Sequence, residues 1–267
     1  HDALPIYSSG VTVNASNLTL SGLTFEIGTT KKQWWAAAVE AGNGQTSMER
    51  ANGLVVDNCT FNGSGFYNGI FMDNGATEYT ITNNTLNNLN QGIYFEDYSA
   101  NGMNVLISNN TFNNTAFAIH GSWDNNANKA ALSGTYTFTN NTIIGSDTLR
   151  NKVIIQDSTD RGTTILTISG NTLENAMIGL INLDNDTDNL DDLASTPLDS
   201  NNYGENSYYA RGNEPGSIDY YTVYEVEENS IGYWEFKDID GDSQIHRYLT
   251  EEQIELVKKA IDEANAN

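Results

Sequence analysis

The chain has 267 residues, 12 Lys and Arg against 35 Asp and Glu, and a formal charge of −23. That balance excludes nucleic acid and anionic membranes as natural partners, and it disfavours a polyanionic substrate unless cations intervene. No run of about 20 apolar residues is present to span a membrane, and the single cysteine, Cys59, has no partner within the chain.

The segment His1–Ile6 matches nothing downstream, and in one reading frame a common sequencing adapter would encode it, so residues 1–10 are expected to be a non-native or incomplete leader. From residue 11 one phrase recurs. Leu18–Phe25 reads LTLSGLTF, Val55–Phe61 VVDNCTF, Tyr79–Leu86 YTITNNTL, Val105–Phe112 VLISNNTF, Tyr136–Ile143 YTFTNNTI and Leu166–Leu173 LTISGNTL. Copies at intervals of roughly 25 to 36 residues are the signature of stacked supersecondary units. Within each copy apolar and polar residues alternate, as in a strand with one buried face. The strand then meets a position held by Gly22, Asn58, Asn83, Asn109, Asn140 and Gly170. Glycine and asparagine enter the left-handed region most easily, so their interchange predicts a bend of positive φ. A Thr follows two residues later, then a large apolar residue: Phe25, Phe61, Leu86, Phe112, Ile143 or Leu173. Stacked about 4.8 Å apart, these positions become ladders, the apolar one filling the interior and the Asn and Thr ones hydrogen-bonding between coils.

A second strand is predicted after each copy, at Ala36–Val39, Gly69–Met72, Gly92–Phe95, Ala118–His120, Val153–Ile155 and Gly179–Ile181. A small residue often precedes the apolar one, which predicts a tight corner. The motif [LIVF]-x-[ND]-N-T-F followed by x-G-I-x-F resembles the parallel β-helix repeat of the pectin-lyase-like superfamily over roughly residues 11–183. The expected class is all-β: a right-handed single-stranded parallel β-helix, a solenoid of about six coils over 11–202. A β-sandwich is disfavoured because sandwiches do not repeat one sequence. The N-x-S/T sequons are explained by ladder packing rather than glycosylation.

The repeat is expected to end after Leu183. Residues 184–202 are acidic, either a solvated loop or, through Asp184, Asp186 and Asp188, a calcium site. Residues 203–249 read as a β-rich linker and hairpin. Asp238, Asp240, Gly241 and Asp242 hint at an EF-hand loop, but the glycine is misplaced and Leu249 stands where an acid is needed, which favours a hairpin turning at Asp240-Gly241. Thr250–Gln253 forms a capping box opening an amphipathic α-helix over 250–267. That helix resembles the cap of a further β-helix, in keeping with a piece of a tandem array; it also fits an ordinary terminal helix packed on the hairpin.

Enzymes of the resembled superfamily imply signatures that this chain does not carry. Asn-Thr is always followed by an apolar residue, and neither G-H-G nor R-I-K occurs. The weak catalytic candidates are His120, Arg150, Lys152, Asp157 and Arg161. A lyase base would have to be a Lys or Arg in an unusual setting. His120 is expected to point outward beside Phe71 and Tyr94, so Tyr94, Glu96, Asp97, His120, Trp123 and Asp124 form the expected carbohydrate-facing surface. Trp34 and Trp35 would either stack on sugars or cap an apolar edge. The reading is a non-catalytic, secreted or cell-surface module, adhesin-like, glycan-contacting or a stalk, monomeric, with calcium the only cofactor suggested. The alternative is a polysaccharide lyase or glycoside hydrolase of the same fold.

Overall fold

The computed structural model describes residues 6–7, 10–27, 37–41, 51–63, 68–72, 78–96, 104–115, 117–122, 134–146, 151–157, 164–182, 197–205, 207–212, 236–237 and 243–244. Among these, three parallel sheets stack coil upon coil. Sheet I has six strands, Thr19–Ser21, Leu54–Asp57, Glu78–Thr82, Asn104–Ser108, Gly134–Thr139 and Thr164–Ser169. Sheet II has eight short strands from Ile6–Tyr7 to Asn202–Tyr203, and sheet III eight from Val11–Val13 to Tyr208–Gly212. The chain passes I, II, III and begins again, each strand pairing in parallel with its counterpart one coil away, the path of a β-solenoid.

The bend between sheets I and II is where the repeat places it. Asn58, Asn83, Asn109 and Asn140 have φ of 53°, 58°, 57° and 56°, and Gly22 and Gly170 both 67°. An ordinary side chain there would cost about 1–2 kcal/mol. Asn88, Asn114 and Asn175, also at positive φ, bend the chain again after sheet II. Two glycines on sheet III answer to close approach instead. A Cβ on Gly69 would lie 2.6 Å from the Gly92 carbonyl oxygen, and one on Gly92 2.6 Å from that of Ala118.

Inside, Phe25, Phe61, Leu86, Phe112, Ile143 and Leu173 form one buried column in register. Beside it runs a second column that is polar: Asn84, Asn110, Asn141, Asn171 and Asn201, all buried. From Asn110 onward each amide oxygen accepts two hydrogen bonds from the coil before. The Asn84 backbone N–H and its Nδ2 both donate to Asn110 Oδ1 at 2.9 Å. Those of Asn110 donate to Asn141 Oδ1 at 3.0 and 3.1 Å, and the pattern continues through Asn171 to Asn201. Each Nδ2 also donates to a strand carbonyl of the preceding coil, as Asn110 does to Ile81 at 2.9 Å. Every such amide is thereby satisfied in a setting where an unpaired one costs about 1–3 kcal/mol.

Cys59 holds the same slot one coil earlier. Its N–H donates to Asn84 Oδ1, and its Sγ lies 3.6 Å from the Leu20 carbonyl oxygen, the counterpart of the carbonyl that Asn84 engages at Val56. Burial pushes the Cys59 thiol above its ordinary range.

The solenoid continues beyond the expected break at Leu183 and the boundary at 202. Tyr203 pairs with Leu173, Tyr208–Gly212 pairs with the preceding strand of sheet III, and Asn201 closes the amide column. The repeat was obscured because Asn202 replaces the Thr and none of the described residues adds a matching strand to sheet I. Where the hairpin was expected the described residues hold one antiparallel pairing, Phe236 with Gln244 and Lys237 with Ser243; the turn expected at Asp240-Gly241 lies outside the described residues. The helix expected over 250–267 lies outside the described residues. At the other end the strand Ile6–Tyr7 pairs with Phe25 and Glu26.

Two outcomes follow. Asn110→Ala orphans the Asn84 N–H and the Ile81 carbonyl, so urea unfolding should show a loss of about 3 kcal/mol. For Cys59, the raised thiol keeps its proton in the folded state, so its contribution is complete below the ordinary thiol value and declines as pH rises through and above it. Melting temperatures measured from neutral to alkaline pH should fall more steeply for the native chain than for Cys59→Ser.

Candidate functional site

The outward residues of sheet III carry the aromatic group anticipated in the sequence. Alternation along the strand turns Ile70, Ile93 and Ile119 into the core and Phe71, Tyr94 and His120 to the other face. The three rings stack, with centroids 5.1 Å apart for Phe71 and Tyr94 and 4.8 Å for Tyr94 and His120, each pair inclined by 16°. Phe117 lies against His120 at 5.3 Å. The expected exposure of this group is corrected by the structure: Tyr94 is 2% and His120 0% accessible. Strand alternation sets which face a side chain takes, not whether that face meets water.

The other candidates separate. Glu96 ends the strand Gln91–Glu96, in register with Ser122. Lys152 and Asp157 stand near opposite ends of the strand Asn151–Asp157, five residues or about 16 Å apart along it. Trp34, Trp35, Asp97, Trp123, Asp124, Arg150, Arg161, Asp184, Asp186 and Asp188 lie outside the described residues. Among the described residues no group of three or more His, Cys, Asp or Glu is disposed to hold a metal, and no helix is long and apolar enough to cross a membrane.

Sequence reasoning passed over the outer face of sheet I. Two outward columns run up it in register. The first holds Thr19, Val55, Thr80, Leu106, Thr137 and Thr167, the second Ser21, Asp57, Thr82, Ser108, Thr139 and Ser169. Glu78, Asn104, Thr135 and Ile165 form a partial third. Leu106 is 37% and Ile165 56% accessible, so this face reaches solvent. Among the described residues its charged groups are Asp57 and Glu78. The Asn83 amide, at 2.7 Å, and the Thr82 hydroxyl, at 2.8 Å, hold the Asp57 carboxyl below the usual range. Any stabilisation from this is present above the ordinary carboxylate value and is lost as pH falls through the lower folded one. The signal lay in the repeat itself, as the polar halves of T-x-T and T-x-S alternation.

The outer face of sheet II differs. Its Thr column is flanked by an amide ladder that satisfies itself, Asn87 donating to Asn62 and Asn113 to Asn87, each at 2.9 Å, with Asn62 donating to Glu26.

No family model matches this chain, and no match was found among curated proteins or solved structures.

Burial of the stacked imidazole makes His120→Ala expensive. Chemical denaturation should show a loss of roughly 2–4 kcal/mol, against less than about 0.5 kcal/mol for the exposed Thr167→Ala.

Proposed function

We propose that this chain is a non-catalytic, secreted or cell-surface module: a right-handed parallel β-helix of the pectin-lyase-like kind, serving as a stalk or glycan-contacting element of a larger protein. The right hand follows from the strong preference of parallel crossovers for it. The carrying observation is the unbroken amide column from Asn84 to Asn201, which ties each coil to the next. With the apolar column from Phe25 to Tyr203 it makes a stiff body about 29 Å long, six steps of about 4.8 Å. An acidic chain faced with hydroxyls and amides suits an extracellular setting, where net charge keeps it soluble and apart from its neighbours.

The alternative, a lyase or hydrolase of the same fold, has less support. A general acid or base must reach within hydrogen-bonding distance of its substrate; His120 is closed to solvent, and Lys152 and Asp157 stand near opposite ends of one strand, about 16 Å apart. Incubation with plant and host glycans, with and without calcium, is expected to yield neither new reducing ends nor unsaturated products absorbing in the ultraviolet. Either product overturns the non-catalytic reading.

A further inference from the structure

We propose that the outer face of sheet II binds ice through its column of threonines; this goes beyond the stalk and glycan-contacting reading above and does not rest on it. Thr24, Thr60, Thr85, Thr111, Thr142 and Thr172 stand in register across six coils. They make a rank about 24 Å long, five steps of about 4.8 Å. Five are half-buried by their neighbours in the rank and Thr172 is exposed, so the whole column meets solvent. A two-residue bend of positive φ precedes every member, and differences in coil length fall elsewhere without interrupting the rank.

The fold alone does not ask for threonine here. Val and Ile suit a strand as well, and a hydroxyl without a methyl would admit Ser. Sheet I shows that tolerance, with Thr, Val and Leu in one outward column and Ser, Asp and Thr in the other. On sheet II only Thr fills the six coils, which keeps a methyl and a hydroxyl together at each step. Nor are those hydroxyls engaged: none of the six is held by another described residue, whereas on sheet I Thr82 bonds to Asp57 and Thr139 to Ser108.

A rigid row of this kind matches a partner that is itself periodic and both donates and accepts hydrogen bonds. Hexagonal ice is such a partner. Its shortest lattice repeat lies within a few tenths of an ångström of the coil spacing, and summed over five steps the mismatch reaches only about a third of one repeat. The methyl groups order the first shell of water around them, and the hydroxyls between them hold that shell in step with the lattice. One such contact is weak, but the solenoid has already fixed the spacing of all six, so little further ordering is lost on binding. The acidity of the chain stays off the rank. The neighbouring outward column carries Glu26 and Glu174 at its two ends, with Asn62, Asn87, Asn113 and Ile144 between them. Its amides are kept in line by bonds to one another and to Glu26.

The test is thermal hysteresis of the full chain, the gap between melting and freezing of a single ice crystal, together with partition of the protein into a growing ice hemisphere. Thr85→Lys and Thr111→Lys are compared with Thr167→Lys, exposed on sheet I, and melting curves check that all variants are folded. Support is a measurable gap and enrichment in ice for the native chain, with the gap reduced about fivefold or more by each sheet II substitution and changed less than about twofold by Thr167→Lys. A native chain that shows no gap and is excluded from ice overturns the proposal. So does a gap that survives both sheet II substitutions in folded protein, or one that Thr167→Lys lowers equally. Glycan binding without any response to ice overturns the proposal as well and leaves the earlier reading standing.

Discussion

The buried amide column is the constraint on which the rest of this fold depends. A solenoid interior is narrow, and a polar side chain inside it must find every partner within the coil stack. The asparagine does so because its oxygen accepts twice from one neighbouring coil while its nitrogen donates to the other coil's amide and to a strand carbonyl. Each bond alone is worth about 1 kcal/mol net, but the alternative is an orphaned amide in a low-dielectric interior. Coils displaced by even one residue would break two bonds per rung. The column therefore sets register as well as adding stability, and the in-register pairing of sheets I and II follows from it.

The column is incomplete at its start, and the structure compensates. In the first two coils the slot holds Leu23 and Cys59, and there the apolar column is aromatic: Phe25 and Phe61 stack with centroids 4.7 Å apart and planes inclined by 6°. Where Asn84 begins the amide ladder, Leu86 replaces the aromatic ring. Over those coils ring stacking stands where the amide ladder runs further on, although a ring also returns at Phe112 beside Asn110, and the thiol contributes a weaker contact to the carbonyl that an amide would engage.

Much of the fold was legible because its devices are local and repeated. A bend of positive φ admits few residue types, so the Asn and Gly interchange at 22, 58, 83, 109, 140 and 170 exposes it directly. The apolar column was legible for the same reason, since each member follows its bend by three residues. The last rung escaped notice because Asn202 stands for the usual Thr, although its neighbour Asn201 completes the ladder. The site was harder to read. Periodicity correctly aligned Phe71, Tyr94 and His120, yet it carries no information on what closes a face from solvent. Recognition is a property of the coverage and charge of a surface, and both arise only when distant segments are brought together.

That separation has a physical consequence for how such a chain divides its work. Stability in a repeat protein is nearly a sum over nearest neighbours, so the inward positions and the bends are held to a few residue types by the next coil. Outward positions on sheet I pair only with counterparts 4.8 Å away, and Thr, Ser, Val and Leu all satisfy the strand. Thr80 and Leu106 occupy successive rungs of one column without disturbing the register between Tyr79 and Val105 beneath them. The outer face is thus free to vary in chemistry while the interior is not. In a chain so acidic, a six-strand face whose described residues carry two carboxylates and a run of hydroxyls is one the fold does not require.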